Sequence, residues 1–168
     1  RMTDSQKVGD IAKNFGLLFD NKNEGMEDFV MQTTSTKDAK LLTLLSAEFS
    51  STIKDHDKNF VTIYDGTELV CGTIVKEEGS NVIVDRLITS KAYRRKGWAT
   101  FMVQYLKKWH PYKSMSVKVA PDATPLIFEF YGKLGFTKQP NPDVHGNIIM
   151  CFGFRNRRFV LKQLFLQS

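Results

Sequence analysis

Leu87-Ile88-Thr89-Ser90-Lys91-Ala92-Tyr93-Arg94-Arg95-Lys96-Gly97-Trp98-Ala99 decides how the rest of the chain is read. A strand ends, a loop of small and basic residues follows, and a helix begins near Gly97. The N–H groups of a helix's first turn have no acceptor within the helix, and the positive end of its dipole lies there too. Such a junction suits an anion, most naturally a pyrophosphate. Gly97 lets the backbone approach closely and Ala99 keeps the next turn small. Arg94, Arg95 and Lys96 add positive charge. Taken alone, the same stretch also fits a basic loop that simply starts a helix.

Working outward, the apolar spacing of Phe101, Met102 or Val103, Leu106 and Trp109 predicts a helix over 97–109, closed by Pro111. Upstream, strands are expected over 60–64, 69–76 and 82–89, joined by turns at Asp65-Gly66 and at 78–81. Before them, Phe29 to Thr33 reads as a strand. It is followed by a helix capped by Ser35 or Thr36, with Ala39, Leu41, Leu42, Leu45, Phe49 and Ile53 on its apolar side. Residues 4–20 carry Val8, Ile11, Ala12, Phe15 and Leu18 at helical spacing, and 21–27 reads as a loop. Downstream, Met115 to Val119 is a buried strand. Thr124-Pro125 opens a helix to about Leu134, and Gly135 ends it as a left-handed cap. Asn147 to Phe154 is a last strand. Hairpins mixed with strand-helix-strand units predict an α/β (α+β) fold, a mixed and mostly antiparallel sheet with helices packed on it.

Composition sets the frame. The chain has 168 residues and 19.2 kDa, which suits one domain with a short appendage at most. Apolar residues make up 42% and charged residues 25%, which excludes wholesale disorder, collagen and coiled coil. No apolar run is long enough for a membrane helix or a signal-peptide core. Cys71 and Cys151 form no disulfide framework, so a cytoplasmic, reducing setting is expected. His56, His110 and His145 are scattered without a second ligand at metal spacing, so no metal is expected. The net charge of +6 implies an anionic partner without choosing among nucleic acid, a membrane surface and a phosphorylated cofactor.

The basic loop resembles the acyl-CoA binding motif of the GNAT superfamily of N-acetyltransferases, Arg/Gln-x-x-Gly-x-Gly/Ala, here filled by Arg94, Gly97 and Ala99. Some 35 residues later, Phe130-Tyr131-Gly132-Lys133-Leu134-Gly135-Phe136 resembles the family's second motif, a helix ending in Tyr-x-x-x-Gly-Phe. The resemblance covers residues 28–154 and leaves 1–27 as an N-terminal extension with a short helix and 155–168 as a basic and apolar tail. It implies a sheet of six or seven strands flanked by about four helices, in which the strands at 82–89 and 115–119 splay apart around a central cleft. It further implies acetyl-CoA as cosubstrate. The pantetheine arm would bond to the backbone of Leu87 and Thr89, and the pyrophosphate to N–H groups of Arg95, Lys96, Gly97, Trp98 and Ala99. Thr124 stands where many members carry an asparagine that contacts the CoA arm, and Trp98 where a small or aliphatic residue is common.

The implied reaction is acetyl transfer to a primary amine by direct attack. A lysine-like amine with a pKa near 10.4 is free base in only about one molecule in 2,500 at pH 7, a cost of roughly 4.6 kcal/mol. A base must therefore remove its proton. Asp85, nine residues before Arg94 where several members carry a glutamate, is the candidate, working through a water because Asp is short. It equally fits a strand carboxylate paired with Arg86. The backbone at Leu87 or Ile88 is the candidate oxyanion donor. Tyr131 is the candidate acid for the leaving thiolate, against the plain reading of a tyrosine packed among Phe128, Phe130 and Phe136. Cys71 and Cys151 read as buried structural thiols rather than as acyl carriers.

The acceptor is less defined. The family builds its acceptor site from the segments here at 34–58 and 137–146, and neither carries a dense acidic patch. A small-molecule or protein amine is the first expectation. An RNA-linked amine, with the tail's Arg155, Arg157, Arg158 and Lys162 touching RNA, is the second, so nucleic acid is not required but not excluded. A CoA-binding module without catalysis is the third. A membrane partner is not expected, and monomer and homodimer both remain open.

Overall fold

The computed structural model describes residues 4–17, 25–35, 38–48, 58–109 and 114–153. Eight strands and four α-helices lie among them. In chain order they are β1 (Asp4–Lys7), α1 (Val8–Phe15), β2 (Val30–Thr34), α2 (Ala39–Glu48), β3 (Lys58–Asp65), β4 (Glu68–Glu78), β5 (Asn81–Thr89), α3 (Trp98–Trp109), β6 (Ser114–Val119), α4 (Pro125–Lys133), β7 (Thr137–Lys138) and β8 (Ile148–Phe152). The strands are ordered β1-β2-β3-β4-β5-β6-β8-β7, one more than the largest sheet the sequence predicts. The β5–β6 pair is parallel, and β1–β2, β2–β3, β3–β4, β6–β8 and β7–β8 are antiparallel.

The chain divides into two units. The first is Arg1–Lys76 with Arg86–Trp109, the second Glu77–Asp85 with His110–Ser168. In the first, α2 lies on the hairpin β3–β4. A cluster of Leu41, Phe60, Leu69, Ile74 and Ile88 forms its core. Leu41 fits where Gly72 has no side chain, since a Cβ there would stand 2.7 Å from Leu41 Cδ1. A separate aromatic group gathers around α3. Its stripe of Trp98, Phe101, Met102, Tyr105 and Leu106 is buried at helical spacing. Phe29 stacks on Trp98 with centroids 5.5 Å apart, and Phe15 of α1 meets Tyr105 edge-on at 5.6 Å.

In the second unit, β6 is buried on both faces, as a central parallel strand should be. Asn81 fixes its register against β5. The Asn81 amide donates to Ser116 Oγ (3.1 Å), and its Oδ1 accepts from Ser114 Oγ (2.9 Å) and Ser116 Oγ (3.2 Å). α4 ends as expected: Gly135 has φ +91°, and Phe136 N–H returns to the Tyr131 carbonyl at 3.0 Å.

Two local expectations are corrected. Residues 4–7 form a strand paired with β2, and the helix starts only at Val8. α2 is capped by Asp38, whose Oδ1 accepts from Leu41 N–H at 2.9 Å; β2 runs to Thr34, so Ser35 lies too early to cap it. Thr124 occupies the cap position of α4, but its hydroxyl makes no capping bond. The proposed caps and apolar positions at Thr36, Phe49 and Ile53, together with Leu18, lie outside the described residues, as do His56, His110, Pro111 and the tail from residue 154. Among the described residues no helix is long and apolar enough to cross a membrane.

Candidate active site

β5 changes character at Arg86. The parallel ladder with β6 runs from Asn81↔Ser114 to Asp85↔Lys118. Arg86 then takes φ +67°, a conformation that costs a non-glycine residue about 1–2 kcal/mol. Its carbonyl is held by Thr73 Oγ1 at 3.0 Å. Past this kink β5 continues along β4, and Ser90 N–H bonds the Val70 carbonyl at 2.9 Å. Backbone groups alternate sides along an antiparallel strand. Ile88 therefore shares the side of Ser90, toward β4, whereas Leu87 and Thr89 present their N–H groups away from β4. Ile88 also places its side chain in the core cluster.

The loop beyond is pinned at several points. Lys91–Tyr93 form a 3-10 turn closed by Tyr93 N–H to the Ser90 carbonyl at 2.9 Å. Arg94 folds back, its Nε donating to the Thr89 carbonyl at 2.9 Å. Arg94 is extended (φ −69°, ψ 155°), Arg95 left-handed (φ +63°) and Gly97 left-handed (φ +85°). The first bond of α3 is Phe101 N–H to the Gly97 carbonyl at 2.9 Å, so the Ala99 and Thr100 N–H groups precede it. A Cβ on Gly97 would meet nothing within 4 Å, so the loop borders open space there. The junction thus combines a helix N-terminus, two left-handed backbone turns and three cations, an arrangement able to hold a pyrophosphate.

Trp98 is 2% exposed and packs on Phe29 and Phe101, so its side chain belongs to the core and only its backbone faces the loop. The hydroxyl of Tyr93 reaches Asp65 Oδ2 (2.9 Å) and Glu68 Oε2 (2.8 Å) at the tip of the β3–β4 hairpin. Nothing in its local sequence pattern singles it out. A pocket of about 690 Å³ lies beside this turn, lined by Lys40, Thr43 and Leu44 of α2 with Glu68, Ser90 and Tyr93. It is the described portion of the 34–58 segment that borders a cavity; residues 49–57 lie outside the description.

The remaining candidates lie in the second unit. Asp85 is half-buried at the last rung of the parallel ladder, in register with Lys118. Tyr131 is 7% exposed near the end of α4, its ring meeting Phe130 at 5.0 Å and Phe136 at 5.5 Å edge-on. Thr124 is exposed at the start of α4. In the 137–146 segment, Asp143 organises a turn. Its carboxylate accepts from the His145 and Asn147 N–H groups (2.9 and 2.8 Å) and from the Asn147 amide (3.1 Å). Partial burial raises the pKa of Asp143, but these bonds and the Lys118 charge outweigh it and hold the carboxyl below its ordinary range. No group of three or more metal-ligating side chains occurs among the described residues.

The two thiols differ. Cys71 is fully buried, and burial pushes its pKa up to about 12 despite the Thr89 hydroxyl 3.6 Å from its sulfur. A thiol so held is protonated at neutral pH and a poor nucleophile. Cys151 is half-buried rather than core, 3.4 Å from Ser116 Oγ, because β8 is covered only in part. A disulfide-exchange reagent is therefore expected to label one cysteine, Cys151, in the native protein and the second only in denaturant. Equal labelling rates would contradict the assigned burial.

The family model for an acetyltransferase (GNAT) domain matches residues 23–155, well over half the chain. A search of curated proteins found no match. Among solved structures, the chain is similar to the PaiA N-acetyltransferase of Thermoplasma acidophilum, solved with coenzyme A (13% identity, TM-score 0.52, covering 92% of this chain and 100% of that one). It is similar to an acyl-CoA N-acyltransferase of Pseudomonas aeruginosa (13%, 0.56, 75% and 99%). It is also similar to Naa50 of Arabidopsis thaliana in complex with a bisubstrate analogue (14%, 0.53, 74% and 99%). At these identities the likeness is one of fold.

Proposed function

The chain belongs to the GNAT family of acetyltransferases, and from that premise we propose that it is an acetyl-CoA-dependent N-acetyltransferase acting on a primary amine of a small molecule or a protein. The observation that carries this reading is the junction at residues 94–99, where Arg95 and Gly97 take left-handed turns just before α3 and a Cβ on Gly97 would meet open space. The residues fit the group. Gly97 borders open space, the Ala99 and Thr100 N–H groups precede the first helical bond, and Arg95 and Lys96 supply charge. Arg94 serves by closing the loop onto Thr89. For the pantetheine arm, Thr89 offers its N–H and Leu87 its carbonyl, both on the side away from β4. Thr124 offers a hydroxyl that capping does not use.

Acetyl-CoA supplies an activated thioester. The chain's own groups supply three services. Asp85, through a water, takes the proton that the ammonium must lose before its nitrogen attacks. The Leu87 N–H donates to the carbonyl oxygen as negative charge develops on it. Strand alternation favours Leu87 over Ile88 for this task. Tyr131 returns a proton to the departing sulfur. The ammonium thus loses two protons, one before attack and one as the amide forms; the sulfur gains one, the other leaves to solvent through the base, and the C–S bond is exchanged for a C–N bond.

Thermal unfolding tests the binding half of this reading. Acetyl-CoA at 100 times its dissociation constant is expected to stabilise the protein by about 2.7 kcal/mol. An unchanged melting temperature at millimolar acetyl-CoA would refute it.

A further inference from the structure

The loop that forms the proposed phosphate cradle contains an arginine in a conformation arginine does not favour. Left-handed backbone at Arg95 (φ +63°) costs about 1–2 kcal/mol and persists only where the surroundings impose it. Downstream, Trp98 is fixed in the core. Upstream, Arg94 is tied to the Thr89 carbonyl, and just before it stands Tyr93. Its ring lies edge-on to Phe29 (6.0 Å, 87°), and Lys96 Nζ sits 5.9 Å from the ring centroid. Its hydroxyl meets Asp65 and Glu68, the two residues that flank the Gly66-Thr67 turn of the β3–β4 hairpin. A phenol has one proton and donates to one carboxylate at a time, and whichever of the two accepts it ties the ring to the hairpin tip. Burial, together with these bonds and charges, raises the tyrosine's pKa, so the phenol stays protonated and able to donate at neutral pH.

We propose that Tyr93 is a positioning residue: its hydroxyl, clasped by Asp65 and Glu68 on the hairpin tip, fixes the loop so that Arg95 and Gly97 keep the left-handed turns of the phosphate cradle. The inference rests on the reading above, that the cradle takes the pyrophosphate of CoA. It assigns the hairpin a part in cofactor affinity although its carboxylates carry the wrong charge for a phosphate contact.

The test compares two ligands that share the pantetheine arm but not the pyrophosphate, CoA and S-acetylpantetheine, by calorimetric and chemical-shift titration. Tyr93→Phe keeps the ring and its contact with Phe29 and removes only the clasp. It is expected to weaken CoA about tenfold, to leave S-acetylpantetheine within about twofold, and to leave the melting temperature unchanged. The Asp65→Ala/Glu68→Ala double variant is expected to weaken CoA similarly, and adding Tyr93→Phe to it to weaken CoA no further. Removal of two negative charges would by charge alone tighten CoA, so tighter binding by the double variant overturns the clasp. CoA affinity unchanged in Tyr93→Phe, or equal loss for both ligands, also overturns it. Failure of the unmodified protein to bind CoA overturns the functional reading itself, and this inference with it.

Discussion

Tyr131→Phe is expected to lower kcat for acetyl transfer on the order of 100-fold or more, with the dissociation constant for CoA essentially unchanged. A positioned general acid contributes roughly 10²–10⁴ to rate, and the phenylalanine retains the ring but not the proton. Tyr131 packs through its ring edges on Phe130 and Phe136, so the substitution preserves the aromatic cluster at the end of α4. The fold should therefore survive, and the loss should fall on kcat rather than on KM for acetyl-CoA. Steady-state kinetics at saturating acetyl-CoA make the comparison. Undiminished turnover would return Tyr131 to a packing role and require another source for the proton.

The second large effect is expected at Gly97. A valine there faces φ +85°, which β-branched residues tolerate at a cost of roughly 1–3 kcal/mol. The protein itself offers no obstacle to the added atoms, since a Cβ at Gly97 meets nothing within 4 Å. The pyrophosphate proposed to lie there would. Gly97→Val is thus expected to weaken CoA on the order of 100-fold, through loss of the cradle's conformation and intrusion into it, with a modest fall in melting temperature. Calorimetric titration reads the affinity. Binding equal to that of the unmodified protein would mean that the pyrophosphate lies elsewhere.

The parts of this protein legible in its sequence are those set by local chemistry. The start of α3 after a glycine, the left-handed Gly135 and the two tight hairpins follow from backbone preferences that a few residues express. The motif around Arg94, Gly97 and Ala99 falls in this class, because the anion cradle proposed there would be built from neighbouring backbone groups. What was illegible depends on distant partners. β1, Asp4-Ser5-Gln6-Lys7, is exposed along its whole length and shows no apolar alternation; only pairing with β2 makes it a strand. β7 is two exposed residues and exists by virtue of β8. The kink at Arg86 has no local signature, since neither glycine nor asparagine marks it.

The site divides in the same way. Trp98 belongs to the motif by position, yet its indole is committed to Phe29, nearly 70 residues earlier in the chain, which no spacing rule reveals. The backbone alternation that separates Leu87 from Ile88 needed the bond from Ser90 to Val70. Tyr93 stands inside the very stretch that the sequence reading starts from. Its hydroxyl partners lie 25 and 28 residues away, and only the fold brings them to it. The acceptor segment was the least legible, because recognition of one amine over another depends on how side chains converge rather than on their order.

The most direct measurement of the central claim is an amine panel incubated with isotopically labelled acetyl-CoA, with free CoA thiol and labelled product quantified together. At least one primary amine is expected to gain the acetyl label with equimolar release of CoA, and Tyr131→Phe to suppress both. Binding of acetyl-CoA without acetyl transfer to any amine, peptide N-terminus or lysine peptide would contradict the claim, and would make the chain a module that holds the cofactor without using it.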